Sequence, residues 1–140
     1  MVNAANSTGG EPIDRRERRF RETRDEILRE ARRLVERDGA GELSMRDVAK
    51  STGFTPPALY RYFPGGKEEV LQALATSGLA LLGDHFRRIP ADLPPEERLL
   101  EIAMTYREFA REHRQELDII LDSVAALQSP DGEEDGLLRP

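Results

Sequence analysis

The stretch Ser-Met-Arg-Asp-Val-Ala-Lys-Ser-Thr-Gly-Phe-Thr-Pro-Pro-Ala-Leu-Tyr-Arg-Tyr-Phe, residues 44–63, decides the fold. Ser44 is a favourable N-cap for a short helix, and Asp47 stands at the capping-box position three residues later. Gly53 can end this helix in the left-handed conformation. Thr55 can cap a second short helix. Two short helices joined by a glycine turn are typical of the helix-turn-helix.

The apolar residues of the stretch have the spacing that this motif needs. Ala49 is small enough to let the second helix approach the first, Gly53 makes the turn, and Leu59 fills the space between the helices. Val48 and Phe63 extend the contact. We therefore expect a packed helix-turn-helix, a motif that places its second helix in the major groove of DNA.

The second helix of the motif has an unusual start. Proline is tolerated in a first helical turn because its N–H groups lack intrahelical partners. Pro57 has no N–H, so Ala58 should donate the capping hydrogen bond to Thr55. Proline before proline disfavours helical geometry, so the helix begins either at Pro56 or at Pro57. This nearly apolar turn favours recognition of bases by shape and thymine-methyl contact.

The remaining sequence predicts an all-α chain. Apolar residues recur at three- and four-residue spacing, and no repeat or strand-like alternation occurs. The helical pattern begins at Asp14. Thr23 and Glu26 have the spacing of a capping box, which predicts that the packed part of the first helix starts at Thr23, and Gly39 and Gly41 end the helix. The other predicted helices cover residues 44–52, 55–63, 67–82, 96–113 and 116–127.

We divide the chain into four regions on this basis. The division predicts a disordered basic arm at residues 1–20 and a helix-turn-helix DNA-binding domain at residues 21–81. The first helices of an α-helical effector domain follow at residues 82–128, and a flexible tail at residues 129–140.

The charge is distributed unevenly along the chain. The net charge is −6, which is unexpected for a DNA-binding protein. Residues 1–67 contain 14 Lys and Arg against 11 Asp and Glu, a net charge of +3. Residues 68–140 contain 7 against 16, a net charge of −9. The positive charge therefore lies in the half that contains the helix-turn-helix, where it can attract phosphates.

The composition excludes several other classes of protein. The chain has no cysteine, so disulfides and thiolate metal sites are impossible. His85 and His113 are far apart in sequence with no ligand cluster nearby, which predicts structural or exposed roles and no metal site. We find no nucleophile–base pair and no cofactor motif, and we expect no enzyme. The sequence shows neither a signal peptide nor a membrane span, so we expect a cytoplasmic, nucleoid-associated protein.

The quoted stretch, with Pro-Gly-Gly-Lys-Glu-Glu-Val-Leu after it at residues 64–71, resembles the TetR/AcrR family of transcriptional regulators. The Leu-Tyr-Arg-Tyr-Phe segment, residues 59–63, is the most distinctive part. Thr-Arg-Asp-Glu-Ile-Leu, residues 23–28, is similar to the family's first helix. The resemblance covers about residues 21–81 and implies sequence-specific binding of double-stranded DNA.

The resemblance also implies a role for individual residues. Phosphate contacts are expected at Tyr60, Tyr62 and Lys67, and the positive end of the fourth helix assists Lys67. Ser44 and Thr55 match positions that touch the DNA backbone. The positions that face bases or nearby phosphates are Arg46, Pro56, Pro57, Ala58 and Arg61, and Thr23 and Arg24 complete the expected DNA-binding set.

The family further implies a homodimer and an effector domain that binds a small molecule. Residues 81–127 are similar only to the beginning of such a domain, and we expect its dimerising helices to be missing. The predicted function is a DNA-binding regulator, normally a repressor released by a small-molecule ligand. The alternative is a truncated protein-interaction module that partners or antagonises a full-length regulator.

Several of these residues have a simpler interpretation. Tyr60 and Tyr62 are also suited to ordinary packing, and Arg46 and Arg61 to plain surface charge. The basic arm is either a DNA contact in the minor groove or at phosphates, or a solvated helical face. Its cationic residues are Arg15, Arg16, Arg18, Arg19, Arg21 and Arg24.

Overall fold

The computed structural model describes residues 14–128, apart from the side chains of residues 126 and 127. Within that range it contains helices, turns and no strand, which confirms the all-α prediction. The predicted tails at residues 1–13 and 129–140 lie outside the described residues. The helices are α1 (Arg15–Asp38), α2 (Met45–Thr52), α3 (Pro56–Tyr62), α4 (Gly66–Arg87), α5 (Pro95–Glu112) and α6 (Arg114–Gln128), with a 3-10 turn at Ala40–Glu42 between α1 and α2.

Helix α1 starts where the helical pattern of the sequence begins, at Asp14. Asp14 is its N-cap and accepts a hydrogen bond from the backbone N–H of Arg16 at 3.3 Å. Arg21 and Glu17 form an ion pair at 2.7 Å, one turn apart, which favours helix in this segment. Thr23 therefore lies inside α1, and the predicted capping box at Thr23 is wrong. Thr23 is nevertheless the first half-buried residue of α1, and the part of the basic arm after Asp14 is helical and exposed.

The main core joins the first four helices. Ile27 of α1, Val48 of α2, Leu59 of α3 and Val70 of α4 are all fully buried. Ile119 of α6, which the sequence analysis did not single out, is 4% exposed and belongs to the same cluster. Helix α6 therefore closes the core of the helix-turn-helix region from the other side of α4.

Helix α4 is the central element of the fold. It continues past its predicted end near Leu82 to Arg87, so it crosses the expected domain boundary without a break. Gly78 lies at the crossing with α6, where a Cβ would be 3.1 Å from Ile120 Cδ1. A glycine at this point lets the two helices pack closely.

A second, smaller cluster lies towards the C-terminal end of α4. Phe109 of α5 is fully buried there against Leu117 and Ile120 of α6. Helix α5 also carries Leu99, Ile102, Ala103 and Tyr106 along its apolar stripe. These side chains are exposed in the structure, Leu99 by 67%. Only the end of α5 near Phe109 is buried by α4 and α6.

The two histidines are adjacent in space, which the sequence analysis did not predict. The rings of His85 and His113 have centroids 5.6 Å apart, and Glu112 lies beside them. The expectation that no ligand cluster surrounds either histidine is therefore wrong.

No helix within residues 14–128 has the length and apolarity needed to span a lipid bilayer.

Candidate nucleic-acid interface

The turn between α2 and α3 is built by local capping, as the sequence predicts. The Ser44 side chain accepts a hydrogen bond from the backbone N–H of Asp47 at 3.1 Å. Gly53 ends α2 with φ 77° and ψ 4°, in the left-handed region. The Thr55 hydroxyl accepts from the backbone N–H of Ala58 at 3.4 Å, so the predicted donor is confirmed. Helix α3 begins at Pro56, the first of the two alternatives.

The apolar contact within the motif also matches the prediction. Val48, Leu59 and Phe63 are fully buried, and Ala49 is 4% exposed. Any rotation of α3 about its own axis would expose Leu59 and Phe63 to solvent. The packing therefore fixes which face of α3 is presented to solvent.

The outward side chains of α2 and α3 form the surface that we call the recognition face. Arg46 lies in the first turn of α2 and Arg61 in the last turn of α3, and both are exposed. The exposed side chains between them on α3 and at its start are those of Thr55, Pro56, Pro57 and Tyr60, with Ala58 half-buried. Lys50 and Asp47 of α2 are exposed as well, so the face combines three cations and one carboxylate with a rigid, weakly polar start of α3.

Tyr60 connects the recognition face to the start of α4. Its side chain is exposed, with 47% of the residue accessible, yet its ring packs on the backbone of Gly66. A Cβ at Gly66 would be 3.2 Å from Tyr60 Cε1, and Gly66 has φ 68°. Only glycine fits this conformation and this contact without strain. The tyrosine is therefore held in place and still open to a ligand.

Tyr62 is mainly a packing residue. It is half-buried, and its ring stacks on Phe20 of α1 with centroids 4.9 Å apart. Phe54 contacts the same ring edge-on at 5.9 Å. The structure thus supports the packing interpretation of Tyr62 that the sequence left open, and its phosphate contact remains a prediction.

Arg24 is engaged within the protein. Its guanidinium lies 4.5 Å from the centre of the Phe63 ring, and one nitrogen is 3.6 Å from a carboxylate oxygen of Glu69. The other oxygen of Glu69 accepts a hydrogen bond from the backbone N–H of Gly65 at 2.7 Å. Arg24 therefore ties α1 to the end of α3 and the start of α4.

Lys67 and Thr23 also occupy half-buried positions. Lys67 Nζ donates a hydrogen bond to the carbonyl oxygen of Gly41 at 3.0 Å, which links the start of α4 to the turn after α1. Thr23 lies in the body of α1. These two residues, with Arg24 and Ser44, are less accessible than the exposed members of the predicted set.

One supporting contact was not predicted from the sequence. Ser51 of α2 donates a hydrogen bond to the Glu30 carboxylate of α1 at 2.7 Å, and Arg33 donates to the same oxygen at 2.9 Å. Hydrogen bonds from Ser51 and then Arg33 lower the pKa of Glu30 below its ordinary value. Residues 30 and 51 are on different helices, so helical periodicity gives no signal for this contact.

These elements define a class of protein. Capped helices α2 and α3 around a left-handed glycine, packed on α1 and α4, constitute a helix-turn-helix DNA-binding domain.

Comparison with known families identifies the domain more closely. A family model described as "Bacterial regulatory proteins, tetR family" matches residues 27–74. The matched segment starts in α1, contains the whole helix-turn-helix and ends in α4. Comparisons with curated proteins and with solved structures each give no match. Residues 27–74 are thus similar to the N-terminal DNA-binding domain of TetR-family regulators.

Proposed function

We propose that this chain binds duplex DNA sequence-specifically and represses transcription. The observation that carries the proposal is the recognition face, where α3 has its orientation fixed by the buried Leu59 and Phe63 and presents the exposed Arg61. Arg46 adds an exposed cation on the preceding helix, and a fixed helix with such a surface is suited to the major groove.

The proposed contacts divide into positioning and recognition. Tyr60 and Thr55, with the half-buried Ser44, Tyr62 and Lys67, hold phosphates, and such contacts set the register of a protein on DNA. Lys67 has three N–H donors, so its bond to Gly41 leaves two for a phosphate oxygen. Thr23 and Arg24 support this surface from α1. The residues that face the base edges are Arg46, Pro56, Pro57, Ala58 and Arg61.

Control by a small molecule is the second part of the proposal. A groove of about 720 Å³ lies between α4 and α6. Leu71, Ala75 and Leu79 line one wall, and Ile119 and Val124 line the other. Ligand sites are commonly apolar clefts of this size. A ligand in the groove would act on α4, whose first residue contacts Tyr60, and we propose that it releases the DNA.

A homodimer is the third part of the proposal. Leu99, Leu100 and Met104 of α5 are each more than half exposed, which is unusual for large apolar side chains. Covering this face with a second copy would place two recognition faces on one DNA duplex. We propose that the dimer works in the cytoplasm at the nucleoid. The same face could instead receive another regulator, which is the alternative function.

The first experiment is a selection of bound duplexes from random DNA by the purified chain. We expect the selected duplexes to be enriched in a palindrome of two half-sites, because a dimer holds two DNA-binding modules at a fixed spacing. A single enriched half-site would contradict the dimer and leave DNA recognition in place. Recovery of no preferred sequence would contradict DNA recognition and favour the protein-interaction alternative.

Tyr60→Phe tests the proposed phosphate contact. The change removes one hydroxyl and retains the ring against Gly66. Hydrogen bonds to charged groups contribute about 1.5–3 kcal/mol, so affinity should fall roughly 10- to 100-fold for every duplex alike. Ser77→Ala, which removes an exposed hydroxyl from α4 outside the proposed DNA, ligand and dimer surfaces, is the control and should bind like the wild type. Equal affinities for Tyr60→Phe and wild type would contradict the contact.

A further inference from the structure

We propose that His85, Glu112 and His113 form a binding site for a divalent transition-metal ion, with Zn²⁺ as the ion to test. One donor atom from each of the three side chains lies within 4.8 Å of the other two. The site is at the C-terminal end of α4 and at the junction of α5 and α6, away from the recognition face. It does not depend on the proposed DNA binding.

The chemistry of the donors indicates the class of ion. Two imidazoles and one carboxylate match the ligands of zinc sites, in which three protein groups leave a further position for water or another molecule. Imidazole favours Zn²⁺, Cu²⁺ and Ni²⁺ over Mg²⁺ and Ca²⁺, which prefer sets of oxygen ligands. Thiolate ligands are absent because the chain has no cysteine.

The backbone allows the donors to close around an ion. Zn–N distances of about 2.0–2.1 Å place tetrahedral ligand atoms about 3.3 Å apart, so the three donors must approach by at most about 1.5 Å. Glu112 is the last residue of α5 and is exposed, and His113 follows it with non-helical φ −124° and ψ 47°. Rotation of these two side chains is therefore less restricted than it would be inside a helix.

His85 is already oriented for binding. Its Nδ1 lies 2.8 Å from the carbonyl oxygen of Leu81. A carbonyl oxygen only accepts, so in the neutral ring Nδ1 carries the proton and Nε2 has the lone pair that a metal needs. Metal-bound histidines nearly always donate their other ring N–H in this way, which fixes the tautomer and the ring orientation.

Phe109 gives the cluster a rigid apolar floor. The ring of Phe109 is fully buried, and its centroid is 5.4 Å from that of His85 and 4.9 Å from that of His113. Both histidines are half-buried and Glu112 is exposed, so an ion has a route from solvent. Simple aromatic packing would explain the two imidazoles on Phe109. It does not explain the carboxylate beside them or the Nδ1–H hydrogen bond.

The test is titration of the purified chain, free of any histidine tag, with Zn²⁺ alone. Calorimetry is expected to show one saturable site per chain. Because the sequence has two histidines, both sets of imidazole resonances should shift at one equivalent in the NMR spectrum. Zn²⁺ should also raise the Tm, because an ion that binds only the folded state stabilises it by mass action.

Variants separate ligation from packing. His85→Gln, His113→Gln and Glu112→Gln should each lower Zn²⁺ affinity more than roughly 10-fold, since even groups beyond the direct ligands are worth 10- to 100-fold. Glu112 is exposed, so Glu112→Gln tests the site without disturbing the core. Glu101→Gln, an exposed carboxylate earlier on α5, is the control and should bind like the wild type.

Two results would overturn the proposal. The first is the absence of saturable one-to-one Zn²⁺ binding by the wild type. The second is unchanged affinity in Glu112→Gln and in both histidine variants while their circular dichroism stays that of the wild type. Either result would leave His85 and His113 as packing residues on Phe109.

Discussion

Glu30 accepts hydrogen bonds from Ser51 and Arg33, and these bonds lower the pKa of its carboxyl group. A carboxyl with a lowered folded-state pKa stabilises the fold above its unfolded-state pKa. That contribution is lost as the pH falls through the folded-state value. The contact joins α1 to α2, so acidification should loosen the helix-turn-helix on this side first.

Replacement of Ser51 by alanine tests this contact. The variant removes the largest cause of the shift, so the pKa of Glu30 should rise towards its ordinary value. An NMR titration of the Glu30 carboxyl measures the change. Ser77→Ala, which removes a hydroxyl bonded to its own helix, should leave the titration of Glu30 unaltered. An identical midpoint in wild type and Ser51→Ala would show that the hydroxyl is not the cause.

For single residues, the sequence predicts contacts between near neighbours along the chain and misses contacts between residues that are far apart in sequence. The caps by Ser44 and Thr55 depend on neighbours within three residues, so propensity alone identifies them. The contact of Arg24 with Glu69 and Phe63 joins helices that are remote in sequence. Composition cannot distinguish such a cation from one that is free to meet DNA.

Two glycines in α4 have opposite surroundings. At Gly78 a Cβ would lie 3.1 Å from Ile120 Cδ1 and 3.3 Å from Ile120 Cγ1, whereas at Gly83 the nearest side-chain atom is Arg87 Nη1 at 3.6 Å. Alanine is favoured over glycine inside a helix by about 1 kcal/mol. At Gly78 the crowding at Ile120 therefore opposes this gain in stability, whereas at Gly83 it does not.

The paired substitutions Gly78→Ala and Gly83→Ala test the close packing of α4 on α6. Gly83→Ala should raise the free energy of unfolding by about 0.5–1 kcal/mol, the usual helical gain. Gly78→Ala should gain less, or lose stability, because Ile120 must move. Chemical denaturation of both variants measures the difference. A gain at Gly78 equal to that at Gly83 would mean that α6 does not press on α4 there.

The elements themselves were predicted with uneven success. Helices α2 and α3 were correct because caps and breakers bound them on both sides. The capping box predicted for α1 was wrong, because Thr23 and Glu26 have the right spacing while the actual cap is Asp14, where the helical pattern begins. The apolar stripe of α5 is evident from its periodicity, which shows which face is apolar and not whether another helix covers it.

The two halves of the chain have opposite net charge, which is +3 in residues 1–67 and −9 in residues 68–140. The acidic half should repel DNA and the basic half attract it, so the chain should approach DNA in one orientation. The start of α1 contributes to the basic half through four exposed side chains, those of Arg15, Arg16, Arg18 and Arg19.

Replacement of these four arginines by glutamine should weaken DNA binding and flatten its salt dependence. Each phosphate contact contributes about −0.9 to the slope of log affinity against log salt concentration, so the slope should become less negative by that amount per contacting arginine. Fluorescence anisotropy at several salt concentrations gives the slope. The charge-matched control replaces four exposed arginines elsewhere: Arg98, Arg107, Arg111 and Arg114. A slope unchanged from wild type would make the start of α1 a solvated face.

The uninterrupted course of α4 has a mechanical consequence. From Gly66 to His85 the helix advances about 29 Å at 1.5 Å per residue, and a single helix of this length behaves as a stiff rod. Pivoting the rod by about 5° around His85 would carry its opposite tip through about 2.5 Å, nearly the full length of a hydrogen bond. A small rotation of α4 at the His85 end therefore becomes a larger displacement at the contact between Tyr60 and Gly66, and no loop has to refold.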